Sequence, residues 1–153
     1  MPRPPRLSPA ARDPALFDEA GRDLFPGLLG LVVTEVGDTV LRVELALRPE
    51  HYAPNGYVHA GVLVTLADTA AGYGCVASLP PDAAGFTTLE LKVSFLGAAR
   101  EGTLHCEARA VHIGRTTQVW DATVTDDDGR TLALFRCTQL VLQPRRPGVE
   151  SAP

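Results

Sequence analysis

The residue of this chain best placed to do chemistry is an acid inside an apolar stretch. Asp68 lies in Val62-Leu63-Val64-Thr65-Leu66-Ala67-Asp68-Thr69-Ala70, directly after the small-residue run Asn55-Gly56-Tyr57-Val58-His59-Ala60-Gly61. Taking a carboxylate out of water costs free energy unless the charge is paired or used. A carboxylate so placed can attack a carbonyl itself or take a proton from water as a general base. The residues before it supply the complement. The first amides of a helix lack intrahelical partners and sit at the positive end of its dipole, so they can stabilise an oxyanion. Plainer roles stand beside these. Asp68 could bond a backbone amide or a hydroxyl, His59 could simply cap the helix, and Asn55 next to Gly56 is a turn former.

One long helix must carry this arrangement. Residues from Ala60 to Ser78 have helical length and apolar residues on every side, which calls for wrapping by other structure; Pro80-Pro81-Asp82 stops it. Gly72 and Gly74 each weaken a helix by roughly 1 kcal/mol relative to Ala, so they imply close approach of another backbone or a ligand. Upstream, Ala15 to Phe25 reads as a short helix with Leu16, Ala20, Leu24 and Phe25 on one side and Asp13 as N-cap. Leu28 to Val36 and Val40 to Leu47 read as a hairpin around Gly37-Asp38, with Leu41, Val43, Leu45 and Leu47 on one face.

Downstream the pattern is strand after strand. Thr87, Leu89, Leu91, Val93 and Phe95 alternate with Thr88, Glu90, Lys92 and Ser94, then Gly97 to Gly102 turns into a strand from Leu104 to Ile113. Thr116 to Thr125 and Arg130 to Leu142 follow, and the short connections make these neighbours antiparallel. Strands segregated from helices indicate an α+β fold, one twisted antiparallel sheet around one apolar helix. The expected layout is a tail at 1–13, a single domain at 14–143 and a second tail at 144–153.

Composition narrows the function. The 153 residues are 45% hydrophobic and 21% charged, with a formal charge of −4, and no basic stretch suggests a nucleic-acid partner. No apolar run approaches the ~18 residues that a bilayer crossing needs. The start carries Arg3, Arg6 and Arg12 without an apolar signal core, so no secretory signal is expected. Cys75, Cys106 and Cys137 form no CxxC pair and read as reduced thiols of a cytoplasmic protein. His51, His105 and His112 make no zinc pattern, and Asp126-Asp127-Asp128 lacks the spacing of a calcium loop, so no metal is expected. Trp120 reads as core or interface.

The order of elements, with His59-Ala60-Gly61 opening the central helix and Asp68 nine residues after the His, resembles the hotdog-fold acyl-CoA thioesterases of the phenylacetate-degradation (PaaI) type. The likeness spans Leu28 to Leu142 and includes Leu66-Ala67-Asp68-Thr69-Ala70, Thr88, Phe95-Leu96 and Val111-His112-Ile113-Gly114-Arg115-Thr116. Two positions depart from that pattern. Ala60 replaces the first Gly of the usual His-Gly-Gly, and Ala53 stands where an Asn or Gln is common, with Asn55 as its nearest substitute.

The resemblance implies hydrolysis of an aryl- or short/medium-chain acyl-CoA. Asp68 would be nucleophile or general base and the N–H of Ala60, aided by Gly61, the oxyanion hole. Thr88 would orient water, and Asn55 and His59 would fix the loop or the thioester. Coenzyme A brings phosphates, for which Arg115, with its neighbour Thr116, and Arg100 are the candidate contacts; no separate cofactor is needed. Asp68 follows Ala60 by eight residues, roughly 12 Å along the axis at about 1.5 Å per residue, too far for one carbonyl to touch both. The site therefore requires two antiparallel central helices, hence a homodimer or a dimer of dimers (a homotetramer). Competing functions are a non-catalytic acyl-CoA-binding protein of this fold and a hotdog dehydratase acting on hydroxyacyl thioesters.

Overall fold

The computed structural model describes Leu7 and residues 11–144. Most of the two expected tails lies outside the described residues. Where the first is described it is engaged: Arg12 donates to the carbonyl of Ala77 at 3.0 Å and to Asp38 at 3.2 Å. That places a cation at the C-terminal end of the long helix, where it suits the dipole.

Asp13 caps α1 (Pro14–Gly21), its carboxylate accepting from the Ala15 N–H at 3.0 Å. The single helix expected to reach Phe25 ends at Gly21, and a separate α2 (Phe25–Leu29) starts with Pro26 in its first turn, where a missing N–H costs nothing. With Leu24 outside α1 the expected stripe is broken. Phe17 turns inward against the Tyr73 ring, 5.3 Å away, and Leu16 is exposed. Gly30, at φ +79°, closes α2 in the left-handed conformation that glycine allows, so β1 begins at Val32 and not at Leu28.

The strands are β1 (Val32–Val36), β2 (Val40–Ala46), β3 (Gly85–Phe95), β4 (Thr103–Ile113), β5 (Thr117–Thr125) and β6 (Thr131–Leu142). They form one antiparallel sheet in the order β1-β2-β4-β5-β6-β3. This corrects one expectation: β3 and β4 are not neighbours. Both sides of β4 are taken by β2 and β5, and β3 pairs with β6 at the far edge. The link 96–102 makes this possible, since at ~3.5 Å per residue it reaches ~25 Å, more than three strand spacings of ~4.8 Å.

The 18-residue α3 (Ala60–Ala77) packs across the concave face. Leu41, Val43 and Leu45 of β2, Leu104 and Cys106 of β4, Trp120 and Val124 of β5 and Phe135 and Cys137 of β6 meet Leu63, Leu66, Ala67, Ala70 and Ala71 in one core. By length and composition α3 could cross a membrane, which corrects the expectation that no apolar run approaches that length; here its apolar surface packs into the sheet. Nor is it covered on every side, because Val64, Thr65, Asp68 and Thr69 remain only half-buried. Both glycines admit side chains and not a backbone. A Cβ on Gly74 would lie 2.6 Å from the Trp120 ring, and one on Gly72 would lie 3.3 Å from the Phe86 ring.

Candidate active site

The loop before α3 is held by a histidine that sequence reasoning set aside. His51 ends a 3-10 turn (Pro49–His51) and is fully buried. Its Nδ1 accepts from the Arg48 N–H at 3.0 Å, which leaves Nε2–H to donate to the Leu29 carbonyl, also at 3.0 Å. The His51 carbonyl in turn accepts the His59 N–H at 2.8 Å. One residue, through its ring and its carbonyl, thus ties α2, the loop and the start of α3 together. Asn55 closes the loop tip, its Oδ1 accepting from the Tyr57 N–H at 3.1 Å, while Gly56 takes φ +79°. Ala53 brings no side-chain amide to the loop; its main chain pairs with Tyr57.

His59 is the N-cap of α3. Its Nδ1 accepts from the Gly61 N–H at 2.9 Å, and its carbonyl accepts from the Val62 N–H. Gly61 permits this fold-back, because a Cβ there would sit 3.0 Å from Nδ1. Of the two amides expected to polarise a carbonyl, that of Gly61 is therefore occupied. The Ala60 N–H has no partner among the described residues, and both Ala60 and His59 are exposed.

Two turns further on, Asp68 is half-buried, and its Oδ1 is sealed from water without a hydrogen-bond partner among the described residues. No cation compensates it among those residues. Burial alone holds its carboxyl above the ordinary carboxylate value. A carboxylate raised in this way is a stronger proton acceptor than a solvated one. The Cys137 thiol beneath it on β6 is pushed up to about 12, first by its own burial and then by the Asp68 charge.

Thr88 lies on the exposed edge strand β3, opposite Gln139 of β6. Its hydroxyl donates to Gln139 Oε1 at 2.9 Å, and Gln139 Nε2 donates to Cys137 Sγ at 3.2 Å. Gln139 and Gln118 are fully buried, and sequence reasoning missed both. The signal was present: each is in phase with inward apolar residues, Gln139 with Cys137 and Val141, Gln118 with Trp120 and Ala122. Gln118 accepts from the Trp120 indole at 2.9 Å and donates to the Ser78 carbonyl at the end of α3.

The basic candidates separate. Arg100 stacks on Tyr57, 4.2 Å from the ring centroid, and donates to its hydroxyl at 2.6 Å, beside the loop that leads to Ala60. Arg115 and Thr116 lie in the exposed β4–β5 turn at the other end of β4. A strand of 11 residues spans roughly 35 Å at about 3.3 Å per residue, so within one chain the two arginines cannot meet a common phosphate. The acidic turn is structural in its contacts: Asp127 accepts from the Thr103 N–H at 2.9 Å and pairs with His105, and Asp126 accepts from the Arg130 N–H.

Residues 55–133, which hold both the unpartnered amide and Asp68, match the thioesterase superfamily. The chain is 35% identical over 118 residues to a protein of Listeria monocytogenes named 1,4-dihydroxy-2-naphthoyl-CoA hydrolase, covering 77% of this chain and 95% of that one. Among solved structures, a mutant thioesterase PA1618 of Pseudomonas aeruginosa superposes with a TM-score of 0.82 at 27% identity, over 86% of this chain and 95% of that chain. The Escherichia coli PaaI protein shares the fold, with a TM-score of 0.70 at 24% identity over 76% of this chain and 83% of that chain. A central helix cradled by one antiparallel sheet, matched in sequence across most of its length, makes this chain a member of the thioesterase superfamily of hotdog-fold thioester hydrolases.

Proposed function

We propose that the protein hydrolyses an acyl-CoA thioester at a site shared by two subunits, with Asp68 of one as general base and the Ala60 N–H of the other as oxyanion donor. The observation that carries this is a pair of unmet needs on one straight helix. The Ala60 N–H and the Asp68 Oδ1 both lack partners among the described residues, and they lie roughly 12 Å apart at about 1.5 Å per residue. A second copy with its helix antiparallel brings each beside its complement. Leu91 and Phe95 of the edge strand β3, 44% and 50% exposed, supply apolar surface for such a partner. In that arrangement Arg115 approaches with Asp68 and Thr88 from one subunit, and Arg100 with Ala60 from the other.

In the reaction, water held by Asp68 loses a proton to the carboxylate as its oxygen bonds the carbonyl carbon. The oxyanion forms on the Ala60 amide. It then collapses, the carbon–sulfur bond breaks, and the thiolate leaves with its electron pair and takes the proton back from Asp68. The products are a free acid and coenzyme A. The Listeria relative's name makes an aryl-CoA the first substrate to try.

Complementation tests the shared site. Ala60→Pro removes only the N–H, at the first helical position where proline fits, and His59 already has the extended backbone (ψ 133°) that a following proline requires. Ala60→Pro and Asp68→Asn should each abolish thiol release. Refolded together they should recover about a quarter of parental activity, because half of randomly mixed dimers carry one intact site. A mixture as inactive as its parts would refute the shared site.

A further inference from the structure

We infer that Gln139 is a positioning residue for the attacking water: by accepting the hydrogen bond of the Thr88 hydroxyl it leaves the Thr88 oxygen to act toward that water only as an acceptor. This rests on the proposed general-base reading and deepens it.

A threonine hydroxyl has one proton to give and two lone pairs to offer. If it donates to the water, it engages one of the water's two lone pairs and draws electron density away from the attacking oxygen. If it accepts from the water, both lone pairs stay free and the oxygen becomes more electron-rich. The choice is set from below. Gln139 is fully buried, so its amide cannot turn to solvent. Its Nε2 donates to Cys137 Sγ at 3.2 Å, which aims Oε1 at Thr88, and the Thr88 hydroxyl donates to it at 2.9 Å. Gly74 lies against Trp120 and Ser78 against Gln118, so α3 runs opposite to β5 and therefore to β3. Gly72, one turn after Asp68 on the same helix face, looks onto Phe86 of β3, so Asp68 faces that strand about two residues further on, at Thr88. Water between Asp68 and Thr88 then donates one proton to the carboxylate and the other to Thr88 Oγ1. Both of its lone pairs are then unengaged, and one faces the thioester carbon. The proton bound for Asp68 is the one transferred as the carbon–oxygen bond forms, and the thiolate later recovers it.

A buried glutamine on an inward face of β6 is otherwise a poor choice, since leucine would fill that space without a polar group to satisfy. Its position opposite Thr88 at the exposed edge gives it a use.

A double-mutant cycle in the full-length protein separates positioning from packing. Gln139→Leu should lower kcat for benzoyl-CoA by on the order of tenfold, the worth of one oriented hydrogen bond, and leave KM within about twofold. Thr88→Val should do the same. The double variant should be no slower than Thr88→Val alone, because Gln139 has no hydroxyl left to orient. Thr88→Ser, which keeps the hydroxyl, should retain most of the parental kcat. Equal losses from Gln139→Leu in the parent and in the Thr88→Val variant would overturn the inference and leave a packing role. So would an unchanged kcat in Gln139→Leu. If Gln139→Leu does not fold, Gln139→Glu keeps an acceptor for Thr88 and should stay faster than Thr88→Val; a slower Gln139→Glu overturns the inference. Asp68→Asn run alongside separates the two levels. Full activity in that variant sinks the general-base reading itself, whereas its loss beside an unaffected Gln139→Leu sinks only the role of Gln139.

Discussion

Replacing Gly74 with Ala asks how tightly α3 is set into the sheet, and hence how firmly Asp68 is positioned. In an open helix the change would gain about 1 kcal/mol of helix propensity. Here the added Cβ lies 2.6 and 2.7 Å from two Trp120 ring carbons, where ordinary carbon contacts fall near 3.5–4.0 Å. Either the ring or the helix must retreat by about 1 Å. Trp120 is fully buried and its indole N–H is bonded to buried Gln118, so it has nowhere to go. Overpacking of this kind costs ~1–3 kcal/mol, and straining the indole bond adds ~1–2. After the propensity gain, the net loss is about 1–4 kcal/mol, or a Tm lower by ~3–12 °C at this chain length. Gly72→Ala is the control. Its Cβ would meet the half-buried Phe86 ring at 3.3 Å, near the start of the edge strand, where the ring can yield. Its stability should stay within about 1 kcal/mol of the parent. Urea denaturation followed by the fluorescence of the single tryptophan reads both directly. A Gly74→Ala protein as stable as the parent, or less affected than Gly72→Ala, would refute the packing argument.

Three further outcomes follow from the site and its surroundings. His51→Ala strands the Arg48 N–H and the Leu29 carbonyl and should cost about 2–5 kcal/mol in urea unfolding; a loss under about 1 kcal/mol would deny His51 its tethering role. His105 is raised above its ordinary 6.5 chiefly by its bond to Asp127 and then by Glu44, so its contribution is complete below 6.5 and lost as pH rises through the raised value. The Tm advantage of the parent over His105→Gln should therefore shrink above pH 6.5, and an advantage still undiminished at about pH 9 would contradict the pairing. Asp68 is raised above 3.8 by burial, so stability falls as pH climbs through the window from 3.8 to the raised value. Asp68→Asn should accordingly melt higher than the parent at neutral pH, with the gap closing below pH 3.8. A variant that melts lower at neutral pH would mean that Asp68 is stabilising.

Much of this was legible in the residues because burial and periodicity coincide there. The period-two pattern of Leu41, Val43 and Leu45 marked β2, and the apolar run closed by Pro80-Pro81 marked α3. Asp68 was conspicuous because apolar neighbours make a carboxylate costly. The failures have physical causes as well. Strand order depends on which edges remain unpaired, a property of the whole sheet, so the alternation of β3 could not reveal that it pairs with β6. The apolar pattern of α3 does not say which of its sides the sheet covers; the half-buried stripe at Thr65 and Asp68 is the surface that the proposed second subunit would cover. At the site, the sequence reading offers the Gly61 N–H as an aid to that of Ala60. Only the His59 imidazole, folded onto the Gly61 N–H, distinguishes them.

The most direct test of Asp68 as general base is kcat for thiol release from benzoyl-CoA by parent and Asp68→Asn proteins, matched for folding. The expected result is a fall of about 10²–10⁴ with KM nearly unchanged, the range for losing a positioned general base. A fall of less than about tenfold would contradict that role, because the proton would then be leaving the water by another route.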